Sequence, residues 1–75
     1  MADCIIAMKS QTTAEKARRI AVTERMGAEV VSIDPSFTRH GCSVGLRLDC
    51  DNARRLSEIL DRRNIAHGDI IGRTV

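Results

Sequence analysis

Two apolar stripes at helical spacing constrain this chain more than any other feature: Ala14, Ala17, Ile20 and Ala21 form one, and Ala53, Leu56, Ile59 and Leu60 form the other. Residues three and four apart share a helix face, so each set defines one core-facing stripe on an otherwise charged segment. The segments around them have a different period. Cys4-Ile5-Ile6-Ala7-Met8 is an apolar run too short for a helix and reads as a buried central strand. Glu29-Val30-Val31-Ser32-Ile33-Asp34 is rich in β-branched residues and reads as a second strand, ended by Pro35. Ser43-Val44-Gly45-Leu46-Arg47-Leu48 alternates, with Val44, Leu46 and Leu48 on one face and Ser43, Gly45 and Arg47 on the other. A last strand is expected near Asp69-Ile70-Ile71-Gly72.

Local signals place the ends of these elements. Thr12 with Glu15 three positions later fits a capping box for the first helix, and Gly27 supplies a stop. Asp49 can cap a second helix that runs to about Arg63. Pro35 to Gly41 reads as a loop. The order strand, helix, strand, strand, helix, strand predicts an α+β, ferredoxin-like split βαβ fold (βαββαβ). Residues 1–75 then form a single domain, a four-stranded antiparallel sheet with two helices on one face.

Size and composition exclude several functions. At 75 residues the fold buries only roughly 60% of the surface its unfolded chain exposes, so the core is small. Phe37 is the single aromatic residue, which leaves Ile, Val, Leu, Ala and Met to build that core. It also argues against a sheet that stacks bases, because such binders need aromatic platforms on their strands. The formal charge is +2, with acidic residues interspersed among the arginines, so no nucleic-acid partner is expected. No apolar run approaches the ~18–20 residues that cross a bilayer. Met1-Ala2-Asp3-Cys4 lacks the basic region of a signal peptide, and a cytoplasmic location is expected.

Three cysteines, an odd number in a reducing compartment, argue against a disulfide framework. There is no C-x-x-C, and His40 and His67 lack zinc-finger spacing, so neither a metal nor another cofactor is expected. No acid–base dyad, Ser/His/Asp set or phosphate-binding glycine loop is recognisable, which argues against a turnover enzyme.

Cys42 stands out by its setting. In Thr38-Arg39-His40-Gly41-Cys42-Ser43, two basic side chains and a glycine lead into a thiol just before an alternating strand. The thiolate is the nucleophile, and nearby cations with partial exposure favour it. Spacing alone fits a small packing residue equally well. In a split βαβ sheet the first and third strands are antiparallel central neighbours, so Lys9 and Ser10 are expected near Cys42. The first helix starts there with unpaired N–H groups and a positive dipole end. Lys9, Ser10, Thr12, Arg39 and His40 are therefore expected to form an electropositive cup around a Cys42 thiolate or a substrate anion. Gly41 permits close backbone approach. Taken singly, Lys9 and Arg39 also fit ordinary cap and loop residues.

The other two cysteines read differently. Cys50 also opens a helix, but Asp49 and Asp51 flank it and oppose a second negative charge. Cys4 falls at the far end of strand one, near Cys50 in this topology, and reads as packing. Cys42 and Cys50 bracket a strand, and eight positions at ~3.3 Å each separate them by roughly 26 Å, too far for an intrachain disulfide.

From Cys4 to about Arg73 the chain resembles the selenium/sulfur carrier protein-like family of small domains. The features that carry the likeness are Ser10-Gln11-Thr12-Thr13-Ala14-Glu15-Lys16-Ala17 after the first strand, Pro35 after the second, and Gly41-Cys42-Ser43-Val44-Gly45-Leu46-Arg47 beyond it. The family often has glycine directly after the cysteine, whereas this chain has Ser43, with Gly45 two positions later. The resemblance implies that Cys42 accepts a sulfur or selenium atom as a persulfide or perselenide and passes it on. The implied partners are a donor protein such as a cysteine desulfurase, and an acceptor protein. Two other readings stay open beside it. One is a small-ligand or anion-binding module built on Lys9, the first helix N-terminus and Arg39. The other is an interaction module that pairs through the open sheet face around Gly45 and Arg47, for instance as a homodimer.

Overall fold

The structure is a computed structural model that describes residues 3–34 and 43–73. Six elements follow in the expected order: β1 (Asp3–Met8), α1 (Gln11–Thr23), β2 (Glu29–Ser32), β3 (Val44–Asp49), α2 (Cys50–Arg62) and β4 (Ile70–Arg73). The strands form one sheet in the order β2-β3-β1-β4, with every neighbouring pair antiparallel. Each βαβ unit is therefore split, with β3 lying between β1 and β2 and β1 lying between β3 and β4. This is the α+β arrangement expected from the alternation of periods.

β1 is central because its backbone is paired on both sides, to β3 from Asp3↔Asp49 to Met8↔Val44 and to β4 from Asp3↔Arg73 to Ile6↔Ile70. Side chains of its two neighbours shield both faces of β1, so that Ile5 and Ala7 are buried as well as Cys4, Ile6 and Met8, which accounts for the unbroken apolar run. Cys4, Ile6 and Met8 lie on the face shared with Leu46 and Leu48, and against that face pack Ala14, Ala17 and Ala21 of α1 and Ala53, Leu56 and Leu60 of α2. Both helices thus cover one side of the sheet, α1 through three alanines that let it approach closely. Ile20, Ile59 and Val44, the remaining members of the expected stripes, are half-buried against the same core.

The first helix starts and stops elsewhere than the sequence signals suggested. Ser10, not Thr12, is the N-cap, its hydroxyl accepting from the Thr13 N–H at 3.2 Å. Thr12 sits inside the first turn, and Glu15 pairs with Arg18 at 3.5 Å instead of reaching back to a cap. The turn out of α1 is made by Arg25 (φ 59°), two residues before Gly27. Arg25 N–H donates to Val22 O at 3.0 Å, and Met26 N–H donates to Ala21 O at 2.8 Å. The pattern is a Schellman motif, which satisfies the last carbonyls and folds Met26 into the core. α2 ends the same way, with Asn64 at φ 57° bonded to Asp61 O and Ile65 bonded to Leu60 O. Its start matches expectation, Asp49 accepting from Asp51 N–H at 3.1 Å. Beyond α2 the His67 ring is held between the carbonyl of Gly68, 2.9 Å from Nδ1, and the carboxylate of Asp61, 3.0 Å from Nε2, which ties the end of the helix to the lead into β4.

Among the described residues no helix is long and apolar enough to cross a membrane.

Candidate functional site

The β1–α1 junction holds three of the residues singled out from the sequence. Lys9 and Ser10 form the exposed bend between the elements, and Thr12 is exposed in the first turn of α1. Met8 lies opposite Val44, so the end of β1 is beside the start of β3, as the split topology requires. Ser43, the residue covalently next to Cys42, accepts from Ile33 N–H at 3.0 Å and lines a depression with Gln11, Val30, Val31, Ser32 and Val44. The first turn of α1 and the start of β3 thus border one hollow at this end of the sheet. Arg39, His40, Gly41 and Cys42 lie outside the described residues. The cup formed by those four with Lys9, Ser10 and Thr12 therefore remains an expectation of the sequence.

At the other end of β3 the cysteines depart from their expected roles. Cys4 and Cys50 are joined in a disulfide, with their Cα atoms 4.8 Å apart. The absence of a disulfide framework was expected, and this bond corrects it. The register explains the proximity. Cys4 lies opposite Leu48, and Cys50, two positions on, falls on the same core face. There the chain leaves the sheet, because Asp49 caps α2 and the helix folds back over the core. That turn brings Cys50 closer to Cys4 than the ~7–8 Å of an ordinary diagonal pair in a flat ladder. Cys4 does pack, at 7% exposure, but it also bonds. Cys50 is half-buried against the core at the first position of α2. The sequence signal was the topological nearness of the two residues; the compartment argument masked it. Since Cys50 is bonded to Cys4, an intrachain Cys42–Cys50 bridge is excluded, as the length of the strand required.

Among the described residues no element packs over the sheet face opposite the helices, and that face is largely apolar. Ile5, Val31, Ile33 and Ile71 line a depression there beside Arg47 and Gly72. Two details differ from the sequence reading of this face. Gly45 is buried, because Ile5 leans over it; a Cβ on Gly45 would lie 2.7 Å from Ile5 Cγ2. Arg47 is engaged by Glu29, its direct cross-strand partner on β2, through a short ion pair. Among the described residues no group of three or more His, Cys, Asp or Glu side chains is placed to hold a metal ion.

The family model described as "Putative Se/S carrier protein-like" matches residues 3–71, from the first residue of β1 into β4. No curated protein and no solved structure matches the chain.

Proposed function

We propose that this chain, which belongs to the Se/S carrier protein-like family, carries sulfur or selenium on Cys42 between a donor protein and an acceptor protein. The observation that carries the reading is an arithmetic one. The chain has three cysteines, Cys4 and Cys50 are bonded to each other, and Cys42 has no other cysteine in the chain to pair with. The count leaves one cysteine for the cargo, and the residue that competed with it on sequence grounds, Cys50, is occupied in this form.

The transfer needs no net oxidation. The Cys42 thiolate attacks the terminal sulfur of a donor persulfide, such as that of a cysteine desulfurase. The donor S–S bond breaks, the donor cysteine leaves as a thiolate with the electron pair, and Cys42 becomes a persulfide. An acceptor nucleophile then attacks the same terminal sulfur and releases the Cys42 thiolate. Selenium follows the same course as a perselenide. Lys9, Arg39 and His40 supply positive charge to the thiolate and to the terminal anion, and Ser10, Thr12 and the α1 N-terminus supply backbone and hydroxyl donors. Gly41 lets a partner backbone come close.

The experiment is intact-mass and peptide-mass analysis after incubation with a cysteine desulfurase and cysteine. The expected result is one added sulfur on Cys42, removed by dithiothreitol and absent in Cys42→Ser. Addition to no residue, or undiminished addition in Cys42→Ser, would overturn the reading.

A second reading is favoured by the sheet face without helices, where among the described residues the half-buried Val31, Ile33 and Ile71 lie around the buried Ile5. On this reading the chain is an interaction module that pairs with a second copy through that face. Sedimentation at micromolar concentration tests it: a dimer that Val31→Asp returns to monomer supports pairing, and a wild-type monomer refutes it.

A further inference from the structure

We infer that Cys4–Cys50 is a thiol–disulfide exchange site whose substrate is a dithiol, at the end of the sheet where β3 passes into α2. Three features of the structure lead there. The first is asymmetry: Cys4 is 7% exposed within β1, whereas Cys50 is only partly buried at the first turn of α2. An incoming thiolate needs a line of approach to one sulfur, and of the two residues Cys50 is the more accessible. The second is independent support for both halves. β1 is paired on both edges from Asp3 to Ile6, and α2 is anchored through Ala53, Leu56 and Leu60. Each element thus has contacts other than the bond that hold it in place, so on this proposal the two sulfurs stay neighbours after reduction and the bond can re-form. The third is the cap. Asp49 fixes the start of α2 through the Asp51 N–H, so Cys50 keeps its place at the helix start in both states.

The exchange balances as follows. A reductant thiolate attacks Cys50 Sγ and forms a mixed disulfide. The Cys4–Cys50 bond breaks, and Cys4 Sγ leaves with the electron pair and takes up a proton. The second thiol of the reductant, as thiolate, then attacks its own sulfur in the mixed disulfide and releases Cys50 Sγ, which is protonated in turn. The chain gains two electrons and two protons, and the reductant becomes a disulfide.

The buried position of Cys4 decides which reductants succeed. In the mixed disulfide, Cys4 is held by β1 next to Cys50, with Cα atoms 4.8 Å apart in the bonded form. Its effective concentration there is far above that of any free thiol, because the strand has already fixed its orientation. A monothiol such as glutathione is therefore expelled by Cys4 before a second molecule can arrive. A dithiol, whose second sulfur is equally close, completes the reduction. The reductant that acts on this chain is accordingly a protein or small molecule with paired thiols.

The test uses the folded full-length chain, both as wild type and as Cys42→Ser, so that failure of the carrier reading does not affect the outcome. The protein is equilibrated with dithiothreitol or with glutathione at equal thiol concentration and trapped with N-ethylmaleimide, and adducts are located by peptide mass. The expected result is that Cys4 and Cys50 gain adducts together in dithiothreitol, lose them together when oxidised dithiothreitol is added, and stay bonded in glutathione. In Cys4→Ala treated with oxidised glutathione, the Cys50 thiolate attacks one sulfur, one glutathione thiolate leaves, and the mixed disulfide should accumulate on Cys50, because the residue that expels it is gone. Reduction by dithiothreitol only in the presence of denaturant would overturn the proposal, making the bond a structural one. Equal reduction by glutathione and dithiothreitol would also overturn it.

Discussion

Reducing the Cys4–Cys50 bond changes no residue, yet it removes a cross-link between positions 46 apart in sequence. In the chain-entropy account, a closed loop of about that length lowers the entropy of the unfolded chain by about 14 cal/mol/K, which amounts to about 4 kcal/mol at 25 °C. A domain of 75 residues has a net stability of about 4–11 kcal/mol, so the bond supplies a large share of it. At about 4–8 °C per kcal/mol for a domain of this size, reduction should lower the melting temperature by about 15–30 °C. The denaturant slope should rise as well, because an unfolded chain freed of its cross-link exposes more surface. Urea unfolding followed by far-UV circular dichroism, with and without dithiothreitol, measures both effects. The Cys4→Ala/Cys50→Ala double variant is the control that should ignore the reductant. The magnitude is taken from the wild-type pair, because Cys4 is buried and its truncation also loses packing. A reduced chain within about 1 kcal/mol of the oxidised one would refute the loop-entropy argument.

Two further substitutions test the packing. Gly45→Ala should cost about 1–3 kcal/mol, because its Cβ would lie 2.7 Å from Ile5 Cγ2 and 2.9 Å from Ile6 O. The side chain can turn away, but the carbonyl belongs to a strand paired on both edges; unchanged urea stability would show that β1 and β3 can part there. Arg25→Gly should stabilise the chain by about 0.5–1 kcal/mol, since Arg25 holds φ 59° at the position where a Schellman motif prefers glycine. Asn64→Gly at the matching position of α2 should gain less, asparagine being tolerant of that conformation. A loss of stability in Arg25→Gly by the same assay would mean that the arginine side chain contributes more than its backbone costs.

The fold was legible because its two periods are clean. The helical stripes from Ala14 and Ala53, and the alternation of Val44, Leu46 and Leu48, admit one way of burying those faces in a common core, and the structure adopts it. Helix ends were less legible, since Ser10 and Thr12 are both capping residues and local sequence does not say which of them the β1 register leaves at the turn. The exit of α1 illustrates the same limit. Gly27 looked like the stop, but hydrogen-bond geometry placed the left-handed residue at Arg25, and burial of Met26 outweighs its backbone cost. At the candidate site the sequence singled out Cys42 and its basic neighbours Arg39 and His40, which lie outside the described residues, and it misjudged the other cysteines. A count of three favours free thiols, whereas the β1–β3 register puts two of them within bonding distance. Compartment reasoning concerns where proteins live; register concerns where atoms lie, and register decided the matter.

That separation of cysteines bears on whether a carrier persulfide would survive. A persulfide next to a second thiol discharges: the thiolate attacks the inner sulfur, a disulfide forms, and hydrogen sulfide leaves. In this chain Cys50 follows β3 and Cys42 precedes it, and a strand of six residues, Val44–Asp49, spans roughly 20 Å at ~3.3 Å per residue. Cys4 is bonded to Cys50 at the far end. The strand length predicts that neither reaches a sulfur on Cys42 within the chain, because a disulfide tolerates a Cα separation of at most about 7 Å. Discharge of the loaded protein must therefore be intermolecular. Sulfide release from chain loaded at Cys42 and reduced at Cys4–Cys50 should be second order in protein and should slow in proportion on dilution. In the Cys4→Ala/Cys50→Ala variant, release per molecule at high dilution should equal that of the wild type. Release that is first order, and abolished in that variant, would mean that the two ends of β3 meet and that the strand does not keep the cargo away from the exchange site.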